Sequence, residues 1–500
     1  MSLKSILARP FAWYMARQIH HWSSRAVNCQ EMIRENLVSV ALKTQFGQEH
    51  GFTNIRSYEE FKTAVPIRDY EELKPYIDAI IEGKENVLWP GKPIYFAKTS
   101  GTTSGTKFIP ISKDSIKNHM NGARSALLLY IAATGRTDFV NGKMIFLSGS
   151  PELEEVNGIK TGRLSGIVNH HIPRYLKRNQ LPSYNTNCIE DWETKLDEIV
   201  DETIWEDMTL ISGIPPWVQM YFEKLLERSG KETIGDLFSR LSVFAYGGVN
   251  FEPYRQQIET TIGKPVATIE TYPASEGFIA FQDRQGDKGL LLNSNAGIFF
   301  EFVPTSEIFS ENPTRLSLGE VELGVNYALI LNTNAGLFGY NIGDTVKFVE
   351  LDPYRIVVTG RVKHFISAFG EHVIAEEVEG ALIDTANGLS GRIVEFTVAP
   401  KVIVDEGLPH HEWFIEFEDV PADLESFALQ VDQNLQKRNI YYADLIEGKV
   451  LQTLKISPIR KNGFREFMES KGKLGGQNKV PRLADNRDIA DELSNFAAPN

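Results

Sequence analysis

Apolar residues recur along the chain with two periods, and the alternation between them predicts the architecture. Residues 115–133 place Met120, Ala123, Leu127 and Tyr130 near helical spacing, which predicts a helix there. Short apolar runs at 143–148, 209–212, 241–246 and 266–271 predict strands, separated by helical patterns at 216–228 and 253–262. Such alternation is the pattern of an α/β body. From about 290 to 360 the runs shorten and alternate, as in Ile298-Phe299-Phe300-Glu301-Phe302 and Arg355-Ile356-Val357-Val358, so a more β-rich, barrel-like subdomain is expected. After Arg361 a smaller α+β module is expected, with strands at 393–399 and 412–418 and a helix at 422–437. Residues 3–45 read as amphipathic helices packed on the body.

Composition narrows the class without naming it. With 500 residues, 42% of them hydrophobic, the chain can bury a large core and form more than one domain. A net charge of −14 and the lack of any basic block argue against a nucleic-acid partner. Lys4, Arg9 and Arg17 interrupt the apolar N-terminal stretch, and no run of about 18 apolar residues exists, so neither a signal peptide nor a membrane partner is expected. Two cysteines, Cys29 and Cys188, cannot build a disulfide framework, which suits the cytoplasm. The doublets His20-His21, His170-His171 and His410-His411 lack the spacing of a metal site.

Candidate chemistry starts at Lys98-Thr99-Ser100-Gly101-Thr102-Thr103-Ser104-Gly105-Thr106-Lys107. Glycines let successive backbone N–H groups point at one anion, the hydroxyls add donors, and Lys107 adds a movable positive charge, so this loop reads as a phosphate cradle. It is not a Walker A loop: Gly101 and Gly105 are one residue too close, and Thr106 separates Gly105 from Lys107.

Three further segments follow in a fixed order: Thr271-Tyr272-Pro273-Ala274-Ser275-Glu276-Gly277, Tyr340-Asn341-Ile342-Gly343-Asp344 and Thr359-Gly360-Arg361-Val362-Lys363-His364. Together with the loop they resemble the motif series of the adenylate-forming enzymes, the superfamily of acyl-CoA synthetases, adenylation domains and luciferases. Tyr246-Gly247-Gly248-Val249-Asn250-Phe251, Ile214-Pro215-Pro216-Trp217 and Gly476-Gln477-Asn478-Lys479-Val480-Pro481-Arg482 are similar to the Gretchen Hagen family within it, the acyl acid–amido synthetases of plants and bacteria. The resemblance covers essentially the whole chain.

That resemblance implies an ATP-dependent ligase that adenylates a small carboxylic acid, releases pyrophosphate and passes the acyl group to an amino acid. It implies a large N-terminal adenylate-forming domain, 1–362, and a mobile C-terminal domain, 363–500. Thr99 to Gly105 and Lys107 would hold the β- and γ-phosphates. Glu276 would be the Mg²⁺ ligand, since that hard cation takes one or two carboxylates beside phosphate oxygens. Gly247, Gly248, Thr271, Tyr272, Ala274 and Ser275 would contact base and α-phosphate, with Arg361 also at the nucleotide, and Asp344 would accept from both ribose hydroxyls. Lys363 would be the hinge. Lys479 would be the catalytic lysine, with Lys473 as its rival. The helix at 119–133 and residues 166–175 would line the acyl pocket.

Asn341 stands where the family commonly has Arg after the tyrosine, and the glycine-rich, proline-led lysine motif of CoA ligases is missing. The second departure favours amide over thioester formation. Two alternatives stay open from sequence: an acyl-CoA synthetase using the same adenylate, and a non-catalytic nucleotide- or acyl-acid-binding protein.

Overall fold

The computed structural model describes residues 3–498 apart from 101–105, 190, 249–250, 287–288, 363–364, 367–372, 390, 403, 405–406, 473–479 and 485. The chain divides into two units, one of residues 1–342 with 346–357, the other of 343–345 with 358–500.

An eleven-stranded sheet organises the first unit. In spatial order its strands are Ile298–Pro304, Asn326–Thr333, Tyr340–Leu351, Tyr354–Arg361, Leu290–Leu292, Gly277–Phe281, Ala267–Ala274, Val243–Gly247, Met208–Ser212, Lys143–Phe146 and Gln180–Leu181. The last five run parallel, and the sense reverses at the Ala267–Ala274/Gly277–Phe281 hairpin. The β-rich stretch after residue 290 thus joins the same sheet, through pairing of Leu290–Leu292 with Gly277–Phe281 and Tyr354–Arg361. A separate four-stranded sheet holds Thr106–Ile111, Tyr95–Ser100, Ile159–Gly162 and Glu154–Val156.

The predicted 115–133 helix spans Lys113–Thr134. Ser112 caps it by accepting from the N–H groups of Asp114 and Ser115, and Gly135 ends it at φ 67°. Its buried face differs from the apolar spacing that announced it. His119, Gly122, Ser125 and Ala126 face inward, while Ala123 is exposed and Met120 and Leu127 are half-buried. The reason is closeness: a Cβ on Gly122 would lie 2.3 Å from the Phe278 ring, so only a residue without a side chain lets helix and sheet meet. This helix packs against Leu3–Ser23, whose Ala8, Ala12, Met15, Ala16 and Ile19 join the cluster of Ala126, Leu129, Met144, Val243 and Phe278.

A buried ion pair braces the antiparallel half. Glu301, with no exposed surface, accepts from Arg315 Nη2 at 2.6 Å and Nε at 3.0 Å, from the Tyr58 hydroxyl at 3.0 Å and from Asn332 Nδ2 at 2.9 Å. Every lone pair of the carboxylate is thereby used, the condition under which burial of the charge is tolerated.

The second unit is the α+β module expected after Arg361. Arg392–Lys401 pairs antiparallel with His410–Asp419, which pairs parallel with Lys455–Ile459. Ala375–Gly388 and Leu424–Arg438 supply the covering helices, packed through Val378, Leu382, Phe427 and Val431 onto Phe396 and Trp413.

Candidate nucleotide-binding active site

Open α/β sheets bind ligands outside the carboxyl ends of their parallel strands. Here those ends carry Ser148-Gly149, Gly213, Gly247-Gly248 and Thr271. Gly247 sits directly opposite Thr271, and a Cβ there would lie 2.3 Å from the Thr271 carbonyl oxygen, so glycine is obligatory. Gly248 follows at φ 82°, in the left-handed region. The Thr271 hydroxyl donates to the Tyr246 carbonyl at 3.0 Å, locking the two strand ends together.

One strand further, Ser275 and Glu276 form a two-residue turn closed by the Ala274/Gly277 pair. A turn normally exposes its side chains, yet Glu276 is only 8% exposed. A Cβ on the neighbouring Gly277 would lie 2.3 Å from the Ile298 Cδ1 methyl, so the turn sits close against that side chain of the Ile298–Pro304 strand. Gly247, Gly248, Thr271, Ala274, Ser275 and Glu276 are therefore brought together along one edge. Tyr272 departs from that open edge: its side chain is buried in the hydrophobic core. A carboxylate held in a tight turn at the mouth of parallel strands suits a hard divalent cation shared with phosphate oxygens.

The strands on either side of the candidate phosphate-binding segment pair with each other. Tyr95–Ser100 and Thr106–Ile111 run antiparallel with Thr99 opposite Lys107 and Ser100 opposite Thr106, and Gly101, Thr102, Thr103, Ser104 and Gly105 lie outside the described residues. The two flanking lysines differ. Lys98 pairs with Glu154 at 2.5 Å, whereas the Lys107 ammonium sits over the Tyr70 ring, 5.3 Å from its centre.

In the second unit two of the sequence motifs meet. Arg361 Nε donates to Asp344 Oδ1 at 2.8 Å, the Val362 N–H donates to the Gly343 carbonyl at 2.6 Å, and the Thr359 hydroxyl donates to that of Thr345 at 2.8 Å. Gly343 has φ 84° and Gly360 φ 148°, so both glycines of the paired motifs adopt conformations other residues avoid. Lys363, Lys473 and Lys479 lie outside the described residues.

Sequence reasoning missed several buried groups around these elements. His119 is 3% exposed, neither ring nitrogen has a partner, and burial pushes its pKa down to about 4. Lys195, buried on the Trp192–Thr203 helix, donates to the carbonyls of Ser148 at 3.0 Å and Asn187 at 2.7 Å, and burial with Arg163 beside it lowers its pKa to about 8. Arg68 bridges Tyr340 and its carbonyl accepts from the N–H of Asn341, the position where the family motif departs. The doublet considered from sequence is not buried at its first member: His170 is exposed, its Nε2 2.7 Å from the Pro151 carbonyl oxygen, and His171 Nε2 lies 3.0 Å from the Tyr95 hydroxyl.

Superposed on solved structures, the chain follows a 2-hydroxyisobutyryl-CoA ligase in its postadenylation state over 97% of its length and 91% of the ligase, with a TM-score of 0.57 and 12% identity. The fold is that of the adenylate-forming enzymes. A GH3.15 acyl acid amido synthetase superposes more closely, with a TM-score of 0.80 over 97% of this chain and 96% of that one, at 14% identity.

The chain belongs to the GH3 family: it matches the GH3 family N-terminal domain over residues 15–187, the central domain over 291–361 and the C-terminal domain over 376–488. In sequence alignment, the indole-3-acetic acid-amido synthetase GH3.15 of Arabidopsis thaliana is 30% identical over 547 residues, covering 92% of this chain and 90% of the relative. The jasmonoyl–L-amino acid synthetase JAR4 of Nicotiana attenuata is 25% identical over 369 residues, and there the alignment spans 63% of the relative's length. The family's named members are amido synthetases, ligases that form amide bonds.

Proposed function

We propose that this chain couples a small carboxylic acid to an amino acid at the expense of ATP. The acid's carboxylate attacks the α-phosphorus and pyrophosphate leaves; the amine then attacks the acyl carbon and AMP leaves. The observation that carries the reading is the Gly247/Thr271 contact with the buried Glu276 turn beside it, a strand edge stripped of side chains where a nucleotide must approach the backbone.

Each residue contributes by position. Thr99, Ser100, Lys107 and the loop residues 101–105 hold the terminal phosphates. Gly247 and Gly248 let the backbone approach the nucleotide, and Thr271, Ala274 and Ser275 line the same edge. Glu276 would hold Mg²⁺, which when bound offsets phosphate charge. Asp344 takes the ribose hydroxyls, and the Arg361 ion pair holds its carboxylate in place. Lys363 serves as hinge of the C-terminal unit, and Lys479, with Lys473 as rival, as the lysine of the adenylation step. The Lys113–Thr134 helix and residues 166–175 supply the acyl pocket, and the cytoplasm is the compartment.

The test is incubation with ATP, Mg²⁺ and pools of carboxylic acids and amino acids, with pyrophosphate assayed and conjugates sought by mass spectrometry. Acid-dependent pyrophosphate and a new amide, both lost in Glu276→Ala, are expected. Product formed only with added CoA would refute amide synthesis, and ATP binding without turnover would refute catalysis.

A further inference from the structure

The Leu3–Ser23 helix is apolar on two opposite sides. Its inner side packs on the Lys113–Thr134 helix, as described above. Its outer side presents Ile6 (54% exposed), Leu7 (59%), Phe11 (45%), Trp13 (59%) and Tyr14 (56%), with Pro10 exposed among them. At 100° per residue these six fall within one arc, so the outward face of the first three turns carries no charge. A helix that is apolar all round normally has both sides covered.

Charge identifies what covers the second side. Exposed Arg9 falls at one margin of the apolar arc by helical position, and Arg17 continues it, its guanidinium 4.8 Å from the centre of the Trp13 ring. Lys4, Arg9, Arg17 and Arg25 are the only charged side chains before Glu31, in a chain whose net charge is −14. An apolar face rich in aromatics and rimmed by cations is the pattern of a helix lying in a membrane interface, where Trp and Tyr sit at headgroup depth and Lys and Arg meet lipid phosphates. A second copy of this chain fits less well, because a two-fold pairing of this face would set the same cationic margins against each other.

We propose that the outer face of the Leu3–Ser23 helix docks the protein on anionic phospholipid bilayers, with Leu7, Phe11, Trp13 and Tyr14 inserted at headgroup depth and Arg9 and Arg17 on lipid phosphates. No helix among the described residues is long and apolar enough to cross a membrane, and this mode needs none. The sequence expectation of no membrane partner rested on the lack of a spanning stretch, and attachment to a surface needs no such stretch.

The experiment is flotation of the full chain with vesicles of phosphatidylcholine alone and of phosphatidylcholine mixed with phosphatidylglycerol. Binding to the anionic vesicles, weakening as salt rises, is expected. It should be lost in the double variant Leu7→Glu, Phe11→Glu with the circular dichroism spectrum intact. Arg9→Gln, which leaves the apolar face whole, should lower the partition coefficient about fivefold, the equivalent of about 1 kcal/mol per basic residue near an anionic surface. Failure of the wild type to float with anionic vesicles, or equal flotation of the double variant, would overturn the proposal. So would a concentration-dependent dimer that the double variant abolishes without any vesicle binding, which would give the face to a second copy.

Discussion

His119 should make the first unit acid-labile, and replacing it should remove that lability. Its imidazole is enclosed with neither nitrogen partnered, and burial lowers its pKa from 6.5 to about 4. Above pH 6.5 the ring is neutral in both folded and unfolded chains and contributes no slope. Between 6.5 and about 4 the unfolded chain takes up a proton that the folded chain refuses, so stability falls as pH falls. At about 1.36 kcal/mol per tenfold change in proton affinity, the full penalty is about 3 kcal/mol, of which about 2 kcal/mol is present near pH 5. In His119→Leu, a side chain of similar size, that penalty vanishes, and at neutral pH two unpaired polar atoms are also removed from the core. The assay is urea unfolding followed by tryptophan fluorescence, which reports the first unit because six of the seven tryptophans lie there. The variant should gain about 2 kcal/mol on wild type between about pH 7.5 and about pH 5. A gap that stays constant across that range would refute the reasoning.

Further outcomes follow from other sites. Arg315→Met strands the buried Glu301 carboxylate and should cost about 3–5 kcal/mol in urea unfolding, while Arg315→Met combined with Glu301→Gln recovers much of it. Gly247→Ala forces the Thr271 carbonyl aside and should lower stability by about 1–3 kcal/mol and abolish ATP binding in calorimetry; a variant that binds ATP normally would remove the close approach from the site. Arg361→Gln removes its ion pair with Asp344 and should raise the KM for ATP in pyrophosphate release while leaving that for the acid unchanged. A shift in the acid's KM alone would place this pair elsewhere.

What the sequence made legible was local. The 267–274 and 243–247 strands and the existence of the Lys113–Thr134 helix follow directly from runs and spacing, because local propensity and final structure agree there. The inward face of that helix was not legible, since it is chosen by Gly122 meeting Phe278 some 150 residues away, a contact no periodicity contains. Asp344 and Arg361 announced themselves as separate motifs; that they pair depends on strand register. The Glu301–Arg315 pair was hidden for the same reason, a carboxylate inside an apolar run having no signature until its partners fold onto it. His119 carried no pattern beyond its place one turn before a glycine.

The two-residue turn at Ser275-Glu276 carries a constraint on how this protein can diverge. All five residues of the following Gly277–Phe281 strand are buried, on both faces, so no face tolerates exchange with the other. With the strand held in place, one inserted residue would turn every side chain of that strand to the other face, driving Phe278 out of the groove left by Gly122 and setting Gly277 in its place. Descendants of this gene can therefore lengthen or shorten many exposed connections, but the count between Ala274 and Gly277 is frozen. The position of Glu276 is inherited as a length before it is inherited as an amino acid.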